Sequence, residues 1–245
     1  MKSYRIATVA VVVLLAFPLS SMGADEEKPK PLWSGTAELS YVSTSGNTKT
    51  QTVGTATGVH YRPGAWDTQL EASFVRSESD GEEKARTLTA MLGAARTIHN
   101  RLRGFGEIDY LKNRFAGINQ RISEDVGVAY QVVSTDSNDL SINAGIGHTR
   151  EDRIEGEDQS YANGRGGLKY AWKFSATASL SEDALFTQSF SDSRNWRVEN
   201  ALSLSAKVNS FLSLKVSHIL NYVNAPVPGF GRTDTTTAAA LVAKF

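Results

Sequence analysis

The stretch from Trp196 to Tyr222 limits the possible folds more than any other part of this chain. Every second residue from Trp196 is Val198, Asn200, Leu202, Leu204, Ala206 and Val208, and the residues between them are Arg197, Glu199, Ala201, Ser203, Ser205 and Lys207. After Asn209-Ser210-Phe211 the alternation restarts with Leu212, Leu214, Val216, His218, Leu220 and Tyr222. These are set against Ser213, Lys215, Ser217 and Asn221, with Ile219 the one apolar residue among the latter. A period of two puts one set on each face of an extended strand, so the stretch reads as a β-hairpin with an apolar face and a polar face. Its strands exceed the five or six residues common in soluble sheets, and about ten residues is what a tilted strand needs to cross a bilayer.

The same unit recurs along the chain. Strands are expected over 33–43, over the Thr- and Gly-rich 50–61, and from Trp66, where Leu70, Ala72 and Phe74 alternate with Asp67, Gln69, Glu71 and Ser73. A fourth, 86–98, alternates poorly because Met91 and Ala95 fall on the wrong face. Further strands are expected from Leu102 to Tyr110, 125–132, 140–147, 165–174, 176–190 and 233–245, which makes twelve with the hairpin above. Tight turns are expected at 45–48 (Ser-Gly-Asn-Thr) and 62–65, and polar loops at 77–84, 112–120, 149–160, 190–195 and 223–232.

An even strand count, short turns alternating with longer polar loops, and aromatics near strand ends are the marks of an outer-membrane barrel. The competing reading is a soluble sandwich or lipocalin-like barrel with the same alternation turned inside out. Strand length argues against the sandwich, and leucines and aromatics on every inward face would overfill a barrel of this size. The expected fold is therefore all-β: a closed antiparallel transmembrane β-barrel of about twelve strands over 33–245.

Residues 1–24 read as a cleaved signal peptide: Lys2 and Arg5, an apolar run from Ile6 to Phe17, Pro18, then small residues for cleavage at Gly23 or Ala24. Residues 25–32 (Asp-Glu-Glu-Lys-Pro-Lys-Pro-Leu) read as a disordered leader. The run is short of the roughly 20 residues a spanning helix needs. Lys plus Arg and Asp plus Glu are 26 each, so charge gives no footprint for nucleic acid. With 0 cysteines there is no disulfide, thiol nucleophile or thiolate metal site.

Several short stretches, in this order and spacing, carry a resemblance: Ser45-Gly46-Asn47-Thr48-Lys49 after a Tyr-bearing first strand, Asp109-Tyr110-Leu111-Lys112-Asn113-Arg114-Phe115-Ala116-Gly117, Ala184-Leu185-Phe186-Thr187-Gln188, Glu199-Asn200-Ala201-Leu202, and Leu212-Ser213-Leu214-Lys215-Val216 followed by Asn221-Tyr222. On these the chain resembles the salt-induced outer membrane protein family over about 33–245. The resemblance implies a Gram-negative outer-membrane barrel whose shared domain has no assigned function, and it supplies no catalytic residues. It also implies outer-membrane lipids as surroundings, and a C-terminal strand ending in Phe245 that barrel-assembly machinery reads.

If the apolar face meets lipid, the charged face lines the lumen. Glu71, Arg103, Glu107, Asp109, Arg165, Lys169, Lys173, Arg197 and Glu199 are then the candidate lining residues, joined by Glu38, Asp67, Asp125, Lys207 and Lys215. Charged rings of this kind bias which ions or small solutes pass; the same residues paired with one another would make a closed envelope-structural barrel, tied to salt or osmotic stress by the resemblance. An outer-membrane lipid hydrolase and a loop-mediated surface interaction protein are the alternatives. His60, His99, His148 and His218 come without a nucleophile elbow or a metal-binding His motif, so no catalytic, cofactor or metal residues are assigned and no enzyme is expected. His148 and His218 fall in phase with the apolar residues. Glu151, Asp152, Glu155, Glu157 and Asp158 could attract a divalent cation, but Arg150 and Arg153 interleave with them and a solvated loop is the simpler reading. Gly164, Gly166 and Gly167 precede no helix, and fit a strand that bends or crowds.

Overall fold

The computed structural model describes residues 31–44 and 50–245; the segments expected from sequence to be a signal peptide (1–24), most of a leader (25–32) and a tight turn (45–48) lie outside the described residues. The rest is a closed barrel of antiparallel strands, each paired with its sequence neighbours. The strands are β1 (Trp33–Thr44), β2 (Thr50–Tyr61), β3 (Trp66–Ser79), β4 (Glu82–His99), β5 (Leu102–Asn113), β6 (Ile118–Ser134), β7 (Asn138–Arg153), β8 (Gln159–Lys173), β9 (Ala178–Ser189), β10 (Trp196–Lys207), β11 (Leu212–Val223) and β12 (Thr233–Lys244). Closure runs through β1 and β12, with Thr36 opposite Lys244 and Leu39 opposite Leu241. Phe245 extends the seam: Gly35 N–H donates to its carbonyl at 2.6 Å, and its own N–H donates to Gly35 at 3.0 Å. The Phe245 ring occupies the space that a side chain at Gly35 would need.

The apolar face points outward. Val126 is 59 % exposed while its neighbour Asp125 is 5 % exposed, and Leu214 is 52 % exposed beside Ser213 at 4 %. A closed sheet leaves its backbone no free edge, and only such a sheet can present carbon outward in lipid with every ladder hydrogen bond made. Aromatic side chains mark both borders of the apolar belt. At the rim carrying the chain ends, Trp33 stacks on Tyr61 at 4.2 Å and Trp172 lies 5.4 Å from Phe174. At the opposite rim Trp196 sits 5.0 Å from Tyr222 and 6.0 Å from Phe186.

The structure corrects several sequence-based strand ends, mostly toward longer strands, although the strand expected over 176–190 is shorter, at Ala178–Ser189. The 77–84 loop is a tight hairpin: β3 and β4 meet at Asp80-Gly81, with φ of 52° and 82°, the left-handed pair that a two-residue hairpin needs. The 112–120 loop shrinks to a 3-10 turn over Arg114–Ala116, capped by the Asn113 side chain and by Gly117 at φ 78°. The 149–160 loop is mostly strand, since β7 continues to Arg153. In these extensions both faces carry charge, so hydropathy shows no alternation. Arg76 with Glu83, and Arg150 with Glu124, pair on the outer wall above the apolar belt, while the inward partners point into the lumen. Met91 and Ala95 are inward residues of a regular β4, whose outward set is Leu88, Ala90, Leu92 and Ala94; Gln69 Nε2 donates to Met91 Sδ at 3.5 Å. The contrast in connection length therefore narrows, and the longest connection is 224–232.

Candidate functional site in the barrel interior

Contacts between strands that are not neighbours can only be made through the lumen, and they locate the charged face there. Arg165 on β8 binds Glu107 on β5, Arg103 on β5 reaches Asp67 on β3 at 3.4 Å, and Lys215 on β11 reaches Glu38 on β1 at 2.9 Å. Arg197 on β10 donates to Tyr161 on β8 at 3.2 Å and to Ser123 on β6 at 3.5 Å. Glu71, Asp109, Lys169, Lys173, Glu199 and Lys207 lie in the same strand phases as these groups.

The half of the lumen away from the chain ends is filled by one polar network. Its foundation is a close approach: Gly127 has no side chain, and the Phe105 ring lies where one would stand. The Arg165 guanidinium sits 5.5 Å over that ring, a cation–π contact strengthened by exclusion of water. Arg165 then pairs with Glu107 and, at 3.3 Å, with Asp125. Asp125 accepts from Asn163 Nδ2 at 2.9 Å, and Asn163 Oδ1 accepts from Thr149 Oγ1 at 3.0 Å. Thr149 has spent its only proton, so Ser123 donates to it at 3.0 Å and itself accepts from Arg197. The result is a directional relay, Arg197 to Ser123 to Thr149 to Asn163 to Asp125, running from a cation to a carboxylate. Every bond polarises the next in the same sense. Thr149 and Asn163 are fully buried.

Above this relay, Glu151 on β7 is gripped by Arg121 on β6 at 2.7 Å and by Arg153. Glu151 and Arg153 lie in the segment read from sequence as a solvated acidic loop; Glu151 is instead buried and bound on both sides by arginine. The 224–232 connection folds over this end. Val227 is 2 % exposed, and Val227 and Phe230 fill the space beside Gly117 next to the buried Ile118.

Toward the chain-end rim the interior is open to water. Lys169 and Asp183 form a 3.2 Å pair with side chains 57 % and 51 % exposed, and Glu71, Lys173 and Lys207 are exposed too. Asp67 gathers His60 at 3.2 Å, Arg62 at 3.6 Å and Arg103 at 3.4 Å. Where the open half meets the network, carboxylate oxygens of Glu107, Asp109 and Asp125 come within 4.8 Å of one another. Arg165 is the cation bound to two of them. Three carboxyl groups against one guanidinium make this an acidic cluster.

The structure thus brings Glu107, Asp109, Arg165, Arg197 and Glu199 into one region with Asp125, and leaves Glu71, Lys169 and Lys173 in the open half. The relay members Ser123, Thr149 and Asn163, and Tyr161 beside Arg197, carry no sequence signal that singles them out. Small polar residues on an inward face look alike whether they are solvated or buried; Gly147, opposite Asn163 and Asp125, is the one local sign of crowding beside them. Among the histidines, His148 and His218 face outward, hydrogen-bonded to Ser160 at 3.1 Å and Thr237 at 2.8 Å.

A family model described as "Protein of unknown function, DUF481" matches residues 37–245. No curated protein sequence matches the chain. Among solved structures, the NanC porin superposes with a TM-score of 0.53 at 10% identity, covering 86% of this chain and 98% of that one. An outer membrane channel from Pseudomonas putida F1 gives 0.52 at 10% identity, covering 92% and 100%. The translocator domain of the autotransporter NalP from Neisseria meningitidis gives 0.51 at 12% identity, covering 89% and 90%. At these identities the likeness is one of fold.

Proposed function

This chain belongs to the DUF481 family, and from the interior of its barrel we propose that it is a narrow, cation-preferring passage in the outer membrane. The observation that carries the proposal is the acidic constriction of Glu107, Asp109 and Asp125, set between a water-exposed half-lumen and a polar network. A cluster of carboxylates on a lumen wall raises the local concentration of cations and repels anions. Barrels of this size lie between filled eight-stranded examples and open porins of sixteen or more strands, which suits small ions better than large solutes. The names of two structural neighbours, a porin and an outer membrane channel, accord with conduction. In this reading the short-turn rim faces the periplasm, the strand ending in Phe245 is read by the assembly machinery, and no residue has a catalytic role.

A second reading is favoured by the relay itself: a buried, hydrogen-bonded network capped by Val227 would hold the lumen shut and make the barrel an envelope-structural element. The salt-induced resemblance is compatible with both, as a response to ionic or osmotic load. Reconstitution in planar bilayers separates them. Stepwise conductance from a verified folded barrel supports the passage, and silence from the same preparation supports the structural barrel.

A further inference from the structure

We propose that the outer wall of β4–β7 is a binding site for one glycerophospholipid, with an acyl chain in a trench floored by Gly104, Gly106 and Ala144 and the phosphate on Arg96. The inference rests on insertion in a membrane but not on conduction.

The trench follows from the strand register. One cross-strand row runs Trp66, Arg96, Gly104, Val128, Ala144, and the next runs Thr68, Ala94, Gly106, Val126, Ile146. All of these point outward in phase with the exposed Val126 and Ile146. At the centre of this wall β5 has hydrogen at two successive outward positions, Gly104 and Gly106, and β4 and β7 add Ala94 and Ala144. The wall is hollowed there into a groove of about 990 Å³, at the upper end of the range for small-molecule sites of roughly 300–1,000 Å³. Neighbouring strands are about 4.8 Å apart, so the hollow crosses about 14 Å of wall.

Its occupant needs two properties. The lining is almost wholly carbon, so the body must be a hydrocarbon chain. At the end nearest the chain-end rim, the Arg96 guanidinium stands 5.6 Å over the Trp66 ring, exposed and at the level of the aromatic border. Among the described residues no carboxylate forms an ion pair with it, unlike Arg76, Arg86 and Arg150 at the other border, which all have one. A cation held over an indole, without a protein counter-charge among the described residues, at the head-group level and beside a hydrocarbon trench, complements a phosphate joined closely to an acyl chain. A glycerophospholipid of that leaflet has both.

The test uses the full-length barrel purified in mild detergent, with folding checked by heat-modifiable mobility. Dioleoylphosphatidylglycerol and dioleoylglycerol, which has the same chains and no phosphate, are titrated and followed by native mass spectrometry. The expected result is one phosphatidylglycerol per barrel, with dioleoylglycerol at least tenfold weaker. Arg96→Gln should bring the phospholipid down to the dioleoylglycerol level. Gly106→Leu should weaken both lipids, since a Cβ there makes only ordinary contacts, with Val126 Cγ1 at 3.7 Å and the Asp125 carbonyl at 3.9 Å, and the added side chain fills the trench without moving backbone. Indistinguishable binding of the two lipids, or Arg96→Gln equal to wild type, would overturn the phosphate assignment. Several lipids per barrel lost in parallel, unaffected by Gly106→Leu, would reduce the trench to ordinary lipid annulus and overturn the site.

Discussion

Asp125 and Gly147 face each other across β6 and β7, and the Asp125 carboxylate occupies the volume that any side chain at 147 would require. The absence of one methyl group thus lets the terminal acceptor of the lumen relay lie against the neighbouring strand, within reach of Asn163 and Arg165.

Gly147→Ala is therefore expected to destabilise the barrel by about 1–3 kcal/mol, the usual range for overpacking. Gly166→Ala is the control, because a Cβ there meets nothing nearer than the Asn143 carbonyl at 3.9 Å. Urea-dependent folding into detergent or lipid measures both, and equal stabilities would contradict the packing described.

Breaking the relay in its middle is expected to be costly without any change of charge. Asn163→Ala leaves the buried Thr149 hydroxyl without its acceptor and removes a donor from Asp125, with a penalty of about 1–3 kcal/mol for each unsatisfied buried group. Ser181→Ala, on an exposed inward position of β9, should be neutral in the same folding assay.

The direction in which the wall faces has its own test. Leu204 is 48 % exposed on the outer face, and Leu204→Arg is expected to cost about 2–4 kcal/mol at mid-membrane depth. Its neighbour Ser203 faces inward but is buried, so an arginine there would collide. Ser181→Arg, inward and exposed, is the appropriate mild partner. A larger loss at 181 than at 204 would turn the sheet inside out.

The basic residues of β8 should not behave alike. Arg165 is bound on both sides by carboxylates in the filled region, and Arg165→Gln strands Glu107 and Asp125, at about 3–5 kcal/mol for a buried pair deprived of one partner. Lys169 and its partner Asp183 are more than half exposed, and removing such a pair costs about 1 kcal/mol or less. Lys169→Gln and Lys173→Gln should fold normally and raise cation preference. Instability confined to the lysine variants would refute this partition of the lumen.

How much of this could be read from sequence depends on what each face carries. The hairpin from Trp196 to Tyr222 shows its orientation because its outer set is hydrocarbon and its inner set is not. The β7 extension does not, because Arg150 and Asp152 alternate with Thr149, Glu151 and Arg153, and a charge looks the same whether it meets water, head groups or an opposing charge. Asp80-Gly81 is a legible hairpin signal hidden by the acidic and basic residues around it. Relay residues are harder still: Ser123, Thr149 and Asn163 become a site only through contacts between strands distant in sequence, and no local pattern records those. The lid residue Val227 sits in a Pro- and Gly-bearing connection where burial comes entirely from tertiary folding.

The central claim, an acidic constriction that passes small cations, is tested most directly by the reversal potential of single barrels under a KCl gradient, for the wild type and for Asp109→Asn. Asp109 shares the constriction with Glu107 and Asp125, and is the member that Arg165 does not bind. The account predicts cation preference in the wild type and a clear reduction in Asp109→Asn, with the unitary conductance retained. Anion preference in the wild type, or a reversal potential unmoved by Asp109→Asn, would contradict it.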